Sequence, residues 1–207
     1  PVAVSTTGVL AGKTIKQISA GGSHTCVIAS DNKAYCWGSG LSGQLGNNST
    51  TNSSVPVAVS TTGVLAGKTI KQISASGPHT CAIASDDKAY CWGGGTGGVL
   101  GNGSTAESKV PVAVSTTGVL AGKTIKQISA GGLHTCAIAS DNKAYCWGYN
   151  HRLQLGNNSA ANSSVPVRVY APKENTTIAA NAMKLRAQYA KKTAATCQQS
   201  LLFALRP

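Results

Sequence analysis

Residues 14–38 read TIKQISAGGSHTCVIASDNKAYCWG, and nearly the same 25 letters return at 69–93 and at 124–148. The segment in front of this stretch, PVAVSTTGVLAG, is also identical in three places. The 207 residues therefore hold three near-identical units, 1–55, 56–110 and 111–165, and the start of a fourth at Pro166. Repeats of about 20–50 residues are typical of solenoids and propellers. The repeat period is therefore stronger evidence for the fold than the length of the chain.

Four short strands are predicted in each unit. Thr14–Ala20 has β-branched residues at nearly alternate positions, although Ile15 breaks the alternation. His24–Ala29 and Lys33–Trp37 flank a turn, and Val55–Val59 is a short apolar strand with a proline near its start. Four-stranded units of this period are typical of propeller blades. The sequence predicts an all-β fold over residues 1–169, with three four-stranded blades of a β-propeller that form a partial ring.

The turn at Ser30-Asp31-Asn32 sets the register of the central hairpin. Three-residue hairpin loops often end on a residue in the left-handed region, and Asn32 suits that position. This turn places Ile28 opposite Ala34 and Cys26 opposite Cys36. Cross-strand cysteines lie within disulfide distance of each other. The same argument applies three times and predicts three disulfides, Cys26–Cys36, Cys81–Cys91 and Cys136–Cys146.

Two alternatives to the disulfides remain open at this stage. His24 precedes Cys26 by two residues and shares its face of the strand, so a zinc site with a His-Cys-Cys ligand set is geometrically conceivable. The other alternative is a pair of free buried thiols. No Cys-x-x-Cys knuckle is present, and a regular hairpin favours a sulfur–sulfur bond, so no metal site is assigned. Disulfides indicate an oxidising compartment.

Three short motifs carry a family resemblance, namely Gly21-Gly22-Ser23-His24-Thr25, Tyr35-Cys36-Trp37-Gly38 and Gly43-Gln44-Leu45-Gly46. Together they resemble the regulator-of-chromosome-condensation repeat, as a bacterial variant with paired cysteines, over residues 1–169. The resemblance implies a seven-bladed propeller and a framework role for the three equivalent histidines, His24, His79 and His134. The sequence departs from the motifs at Ser76, Val99 and Leu153.

Three blades do not close a ring of seven. If each outer strand comes from the next unit, the blades cover 14–59, 69–114 and 124–169, and an exposed sheet face remains at each end. We expect either a fragment whose flanking repeats are missing or a homo-oligomer that completes the ring. The chain begins with Pro1 rather than Met, so the absence of a signal peptide carries no weight.

Residues 170–207 predict a basic α-helical tail. From Pro166 onward the chain has seven lysine and arginine residues and a single acidic one, Glu174. An apolar stripe at helical spacing runs from Ile178 to Tyr189. The tail is interpreted as a helix for a membrane or an acidic partner, as a cover for the exposed blade edge, or as the product of a change in coding frame. Cys197 is the odd seventh cysteine, and we expect it to be either free or bonded to another chain.

Composition excludes several classes of function. The net charge is +12, but the lysines of the repeats are few and spread out, so we do not expect nucleic-acid binding. No apolar run approaches the length of a transmembrane helix. The repeats contain four turn aspartates and Glu107, which offer no carboxylate pair for general acid–base chemistry. No catalytic residue, metal or cofactor is predicted.

Comparison of the three units locates the candidate binding site. Forty of the 55 columns are identical, and six of the 15 differing columns are contiguous, at 39–44, 94–99 and 149–154. Loops on a rigid scaffold usually carry binding specificity, although relaxed drift in tolerant loops would leave the same pattern. The candidate binding residues are Ser39, Leu41, Gln44, Thr96, Val99, Tyr149, Asn150, His151, Arg152 and Leu153.

The predicted function is a non-enzymatic propeller, extracellular or on the cell surface of a bacterium, that binds a protein or glycan partner through these loops. The alternative is an intracellular propeller with guanine-nucleotide-exchange activity or an association with chromatin. Members of the resembled family include a nuclear exchange factor and a secreted bacterial β-lactamase inhibitor. The state of the cysteines separates the two hypotheses, because an intracellular protein rarely keeps three disulfides.

Overall fold

The structure, a computed structural model, describes residues 3–170. Its strands form three antiparallel sheets of four strands, each in sequence order. The first sheet contains β1 (Ile15–Ala20), β2 (His24–Ala29), β3 (Ala34–Gly38) and β4 (Ser53–Ala58). The second contains β5 (Ile70–Ala75), β6 (His79–Ala84), β7 (Ala89–Gly93) and β8 (Ser108–Ala113). The third contains β9 (Ile125–Ala130), β10 (His134–Ala139), β11 (Ala144–Gly148) and β12 (Ser163–Arg168). Short 3-10 turns lie at Gly8–Leu10, Gly63–Leu65, Thr96–Gly98 and Gly118–Leu120.

These sheets confirm the predicted blades, called blades 1, 2 and 3 in chain order. The outer strand of each blade crosses the boundary into the next unit, as β4 does when it runs from Ser53 through Pro56 to Ala58. It begins two residues before the predicted Val55. Pro56 is tolerated there because an outer strand has one edge free of ladder hydrogen bonds. The predicted helical tail and Cys197 lie outside the described residues.

The central hairpin has the predicted register. Cys26 lies opposite Cys36, and Ile28 lies opposite Ala34. Asn32 has φ 58°, Asp87 has φ 57° and Asn142 has φ 60°, so all three occupy the left-handed region. The three disulfides Cys26–Cys36, Cys81–Cys91 and Cys136–Cys146 are formed, each with Cα atoms 4.1 Å apart. Since the sulfurs are bonded to each other, they are not available as metal ligands beside His24.

A bulge explains the irregular alternation in the first strand. The pairing of β1 with β2 shifts register between Ile15 and Gln17. A bulge inserts one extra residue, so the isoleucines at 15 and 18 face the same side of the sheet. In blade 2 the equivalent pair, Ile70 and Ile73, is buried on one face. The break in the alternation therefore places both isoleucines of the first strand on the face that packs in the core.

The hydrophobic core lies between the blades. One cluster joins Ile28, Ala34 and the first disulfide of blade 1 to Ile73 and Trp92 of blade 2. A second cluster repeats these contacts between blades 2 and 3. Each blade therefore depends on its neighbours for burial, as is usual in repeat architectures.

Candidate functional site

The connections of each blade divide between two opposite ends of the sheet. At one end the β1–β2 turn meets the β3–β4 connection, where Ser39 N donates to Ser23 O at 2.8 Å. At the other end the hairpin turn meets the linkers between units, where Ser30 N donates to Thr14 O and Ile70 N donates to Asn32 O, both at 2.8 Å. We call the first the variable end; it comprises 21–23, 39–52, 76–78, 94–107, 131–133 and 149–162. We call the second the constant end; it comprises 3–14, 30–33, 59–69, 85–88, 114–124 and 140–143.

The differences between units concentrate at the variable end. Twelve of the 15 differing columns fall there, at unit positions 21, 23, 39–44, 48 and 50–52. The constant end differs only at position 32, which is Asn32, Asp87 or Asn142. The remaining two columns lie within strands, at positions 27 and 54. Position 23, far from the loop in sequence, joins it through the hydrogen bond to position 39. The variable positions thus gather at one end of each blade rather than being scattered over it.

The ten predicted binding residues divide by exposure. Leu41, Thr96, His151, Arg152 and Leu153 are exposed, and Ser39 and Tyr149 are half-buried. The side chains of Gln44, Val99 and Asn150 are buried. Partner binding by any of these ten residues stays a prediction. The exposed members lie where a partner can reach their side chains.

Buried Asn150 shapes the third loop from inside. Its Nδ2 donates to Ser159 O at 2.6 Å and to Ala161 O at 3.1 Å, and its Oδ1 accepts from Leu155 N at 2.9 Å. These bonds tie the two halves of the loop together. Units 1 and 2 have glycine at this position, so the asparagine is a bond-forming addition specific to unit 3.

Position 44 joins each loop to the next blade through its backbone. Gln44 O accepts two hydrogen bonds, from Thr80 Oγ1 at 2.9 Å and from Trp92 Nε1 at 3.0 Å. Val99 O accepts the equivalent pair from Thr135 and Trp147. Gly46, two residues further on, gives the tryptophan room, since a Cβ at 46 would lie 2.6 Å from Trp92 Nε1. The contact to the next blade is therefore made by the main chain and is kept when valine replaces glutamine. The Gln44 side chain bonds within its own loop, where Oε1 accepts from Ser42 N at 2.8 Å.

Exposed and half-buried side chains of unit 3 form one group at the variable end. The Tyr149 ring packs over Gly97, where a Cβ would lie 2.5 Å from the ring, and its centroid is 5.5 Å from that of His151. Tyr149 N donates to Leu133 O at 2.9 Å, which brings exposed Leu133 into the group. We call this group the unit 3 patch; its members are Leu133, Tyr149, His151, Arg152 and Leu153. Beside it, Leu153 and the 156–160 turn line a cavity of about 250 Å³.

Leu153 adopts an unusual backbone conformation. Its φ is 59°, whereas the equivalent positions in units 1 and 2 are Gly43 and Gly98. A leucine in the left-handed region costs about 1–2 kcal/mol, because its Cβ crowds the carbonyl oxygen. The leucine is nevertheless present, and its side chain points to solvent. Such strain, maintained by its surroundings, is a recurrent property of binding sites.

Two of the three equivalent histidines, His24 and His79, lie between neighbouring blades. His24 Nε2 lies 2.7 Å from Thr80 Oγ1, and His79 Nε2 lies 2.9 Å from Thr135 Oγ1. Because the Thr80 hydroxyl donates its hydrogen to Gln44 O, His24 acts as the donor from Nε2. Burial lowers the pKa of His24 and of His79 to about 4. Both rings are therefore neutral framework groups, as the resemblance implied.

The acidic residues of the turns serve the framework as well. Tyr35 donates its hydroxyl hydrogen to Asp31 Oδ2 at 2.6 Å, and Lys33 N donates to Asp31 Oδ1 at 3.1 Å. Burial, and then the bond to Asp31, raises the pKa of Tyr35 to about 12. Lys71 pairs with Asp87 at 2.6 Å. Over residues 3–170, no group of three or more His, Cys, Asp and Glu side chains is placed to hold a metal ion.

The constant end collects the lysines that are far apart in sequence. Lys13, Lys16 and Lys33, together with their copies in the other two units, all lie at or beside it. Lys16 Nζ donates to Asn32 Oδ1 at 2.6 Å, and Lys13 Nζ donates to Val9 O at 2.6 Å while lying 5.6 Å from the centre of the Tyr35 ring. Two of the three lysines per unit are thus engaged in local contacts. In the part of the chain that the structure describes, no helix is both long and apolar enough for a membrane span.

Comparison with known proteins identifies relatives of this chain. Two family models, both described as the regulator of chromosome condensation (RCC1) repeat, match it at 15–44, 70–98 and 125–154, and at 31–83, 86–138 and 141–182. The chain is 32% identical over 160 residues to the ultraviolet-B receptor UVR8 of Arabidopsis thaliana, covering 77% of this chain and 35% of that protein. It is 33% identical over 156 residues to the X-linked retinitis pigmentosa GTPase regulator of Canis lupus familiaris, covering 75% and 15%.

Solved structures share the fold. Human WBSCR16 superposes with a TM-score of 0.69 at 25% identity, over 81% of this chain and 42% of that one. Prp20p of Saccharomyces cerevisiae, which is described with binding properties to Gsp1p and histones, superposes with a TM-score of 0.66 at 21% identity, over 76% and 39%. The chain therefore spans about a third or less of these curated relatives and about two fifths of these structures.

Proposed function

Since the chain belongs to the family of regulator of chromosome condensation (RCC1) repeats, we propose that it is a non-enzymatic scaffold that binds a protein partner through the variable end of its blades. The unit 3 patch forms the centre of the contact surface. The compartment we propose is extracellular, in the medium or at the cell surface.

The segregation of differences between the two ends carries the proposal. Forty of 55 columns are identical. The hairpins and the constant end use them in all three units, and the contacts between neighbouring blades use them twice. Drift in tolerant positions would also affect exposed residues of the constant end, such as Lys33 and its equivalents Lys88 and Lys143. Those positions are identical in all three units, whereas 12 of the 15 differences lie at the variable end. This bias favours a difference in what the two ends contact.

The chemistry of the unit 3 patch favours a protein partner over a glycan. Tyrosine and arginine are the side chains that contribute most often to protein–protein binding energy. Tyr149 and Arg152 stand beside two exposed leucines, Leu133 and Leu153, which offer apolar area for burial. Among relatives, Prp20 is described in complex with Kap60 and with binding properties to Gsp1p and histones.

The disulfides support the extracellular compartment. Three cross-strand disulfides, one per blade, persist in an oxidising environment, whereas cysteines are kept reduced in the cytosol of most cells.

The non-enzymatic assignment is supported by the acidic residues of the turns, since Asp31, Asp86 and Asp141 each accept a hydrogen bond from a tyrosine hydroxyl. These carboxylates lie at the constant end, away from the unit 3 patch.

A loop exchange tests the binding surface. Replacing 149–154 by the 39–44 sequence SGLSGQ keeps an arrangement that the same framework already carries in unit 1. The immobilised protein is incubated with medium and surface extract of its source cells, and the captured proteins are quantified by mass spectrometry. We expect the specific partner to fall by about tenfold or more with the exchange, a loss of about 1.4 kcal/mol.

The control is Lys143→Gln, a single change at the constant end, which should leave capture unchanged. Equal capture by the exchange variant and the wild type would refute the role of the patch. The same two variants on a glycan array decide the class of partner. If glycan binding disappears with the exchange and the capture of every protein is unaffected, the partner is a glycan rather than a protein.

The oxidation state of the hairpin cysteines tests the proposed compartment. The protein is isolated from its source cells under immediate alkylation and digested without reductant. We expect three linked peptide pairs, each joining the two cysteines of one hairpin. Six alkylated hairpin cysteines would contradict the extracellular compartment and reopen the intracellular hypothesis.

A further inference from the structure

The joint between neighbouring blades is built twice from the same residues. Each blade has a trailing face, which contacts the blade that follows, and a leading face, which contacts the blade before it. In blade 1 the trailing face includes Gln17, Ser19, His24 and Ile28; in blade 2 the leading face includes Ile70, Ile73, Ala75, Thr80 and Trp92. The next joint uses the residues 55 positions later.

Polar bonds set the register of each joint. Gln17 Nε2 donates to Ile73 O at 2.9 Å, and Gln72 Nε2 repeats this with Ile128 O at 3.2 Å. Ala75 N donates to Ser19 Oγ at 2.9 Å, and Ala130 N repeats this with Ser74 Oγ at 3.0 Å. The histidine–threonine bonds add a third pair at each joint. The joint is therefore specific in position as well as apolar.

Two such faces are uncovered in the described part of the chain. Ile18, on the leading face of blade 1, is 63% exposed, whereas its equivalents Ile73 and Ile128 are 2% exposed. Ile138, on the trailing face of blade 3, is 39% exposed, whereas Ile28 and Ile83 are 3% and 2% exposed. Within residues 3–170, His134 has no hydrogen-bond partner on a further blade.

The two uncovered faces match the faces of the internal joints except at Leu153. Its equivalents, Gly43 and Gly98, lie against the backbone of Lys109 and Ser164 with no room for a Cβ, so the 149–154 loop must shift for the same joint to form. The leading-face segments TIKQISA, HTC and AYCWG of blade 1 are identical to those of blades 2 and 3. Of the residues on these strands, only Val27 departs from its equivalents, Ala82 and Ala137, and it is buried in a cluster with Leu10 and Tyr35. The trailing face of blade 3 likewise has Gln127, Ser129, His134 and Ile138 at the positions that make the two internal joints.

We propose that the trailing face of blade 3 receives the leading face of blade 1 of a second copy of this chain. His134 then bonds Thr25 of the second copy, as His24 bonds Thr80. Gln127 bonds the backbone of Ile18 of the second copy, and Ser129 accepts from the backbone N–H of its Ala20. Gln154 O accepts from Thr25 and Trp37 of the second copy. The contact is head-to-tail, so each copy contributes a different face.

Two single-face variants test the proposal. Ile18→Asp places a charge on the leading face of blade 1, and Ile138→Asp places one on the trailing face of blade 3. We expect the wild type to reach at least twice the 20.9 kDa of one chain as its concentration rises, measured by light scattering after gel filtration. Each variant alone stays at the mass of one chain. An equal mixture of the two gives a dimer and nothing larger, because each variant retains one intact face.

The mixture distinguishes head-to-tail docking from every symmetric dimer. The control Val55→Asp, on the exposed outer strand β4, should associate like the wild type. Circular dichroism and the count of linked cysteine pairs confirm that each variant is folded. A second pair, Ile15→Asp and Ala144→Asp, places the charges elsewhere on the same two faces and should repeat the result.

Three outcomes would overturn the proposal. A wild type that keeps the mass of one chain up to millimolar concentration shows that no second copy docks. Association that survives in both single-face variants places the contact on another surface. A mixture that stays at the mass of one chain shows that the two faces do not meet.

Discussion

Two neighbouring positions at the variable end differ in how much a substitution costs the stability of the fold. Leu153 occupies a left-handed position that Gly43 and Gly98 occupy in the other units. Gln44 and Val99, which differ completely in side chain, make the same backbone contacts to the next blade. The leucine is costly and its side chain lies in solvent, whereas the change from Gln44 to Val99 keeps the backbone contacts to the next blade. That change exchanges the loop hydrogen bonds of the Gln44 side chain for apolar burial of Val99. The strain at Leu153 is the feature that the proposed contact with a partner would explain.

Replacing Leu153 by glycine should therefore stabilise the protein. The Leu153→Gly variant removes the crowding at φ 59° and should raise the free energy of unfolding by about 1 kcal/mol. Urea denaturation measures the change. Leu41→Gly is the matched control, since Leu41 is also exposed in its loop but is not at positive φ, and its stability should stay the same or fall. An equal gain in both variants would show that strain at 153 is not the cause.

The buried histidines predict a loss of stability in acid. In the unfolded chain a histidine takes up its proton near pH 6.5, but burial lowers the pKa of His24 and His79 to about 4 in the folded state. Stability is therefore complete above pH 6.5 and falls between pH 6.5 and 4, by on the order of 3 kcal/mol per histidine. The urea midpoint across this range measures the fall. In the His24→Asn/His79→Asn double variant the profile should be flatter, and an unchanged slope would contradict the argument.

At the scale of strands and turns, the sequence was sufficient wherever the deciding contacts lie within one unit. The turn at Asp31-Asn32 determined the hairpin register, and with it the Cys26–Cys36 pair. The outer strand began two residues early, and the bulge after Ile15 was visible only as a broken alternation. The burial of Gln44, Val99 and Asn150 was missed, because it depends on the neighbouring blade or on a folded-back loop. The available signal was Leu45-Gly46, identical in every unit directly after the variable segment.

The joints between blades allow a matched test in one chain. Thr80→Val removes the hydroxyl that bonds His24 and Gln44 O, and should lower the free energy of unfolding by about 1–3 kcal/mol. Thr25→Val makes the same change in blade 1, where the threonine has no such partners within residues 3–170. Measured by urea at a concentration where the chain is monomeric, Thr25→Val should cost much less. Equal costs would mean that the hydroxyl acts within its own blade.

At the scale of the described unit, three nearly equal blades occupy unequal positions. Blade 2 is packed on both faces, whereas blades 1 and 3 each have one face uncovered. In repeat folds stability is close to a sum of intrinsic terms and nearest-neighbour terms. Since the three sequences are nearly the same, the intrinsic terms are nearly equal, and the neighbour terms decide which blade opens first.

Hydrogen exchange should therefore be slowest in blade 2. Strands β6 and β10 have the same sequence, HTCAIA, yet every residue of β6 is buried, while β10 includes exposed Ile138. Their intrinsic exchange rates are the same, so any difference in protection reports the local opening free energy. In dilute protein we expect greater protection in β6, read by mass spectrometry from peptides that include Pro78 or Leu133. Equal protection in the two strands would contradict this expectation. It would mean that blades 2 and 3 open together, because the contacts between them are too strong for blade 3 to open alone.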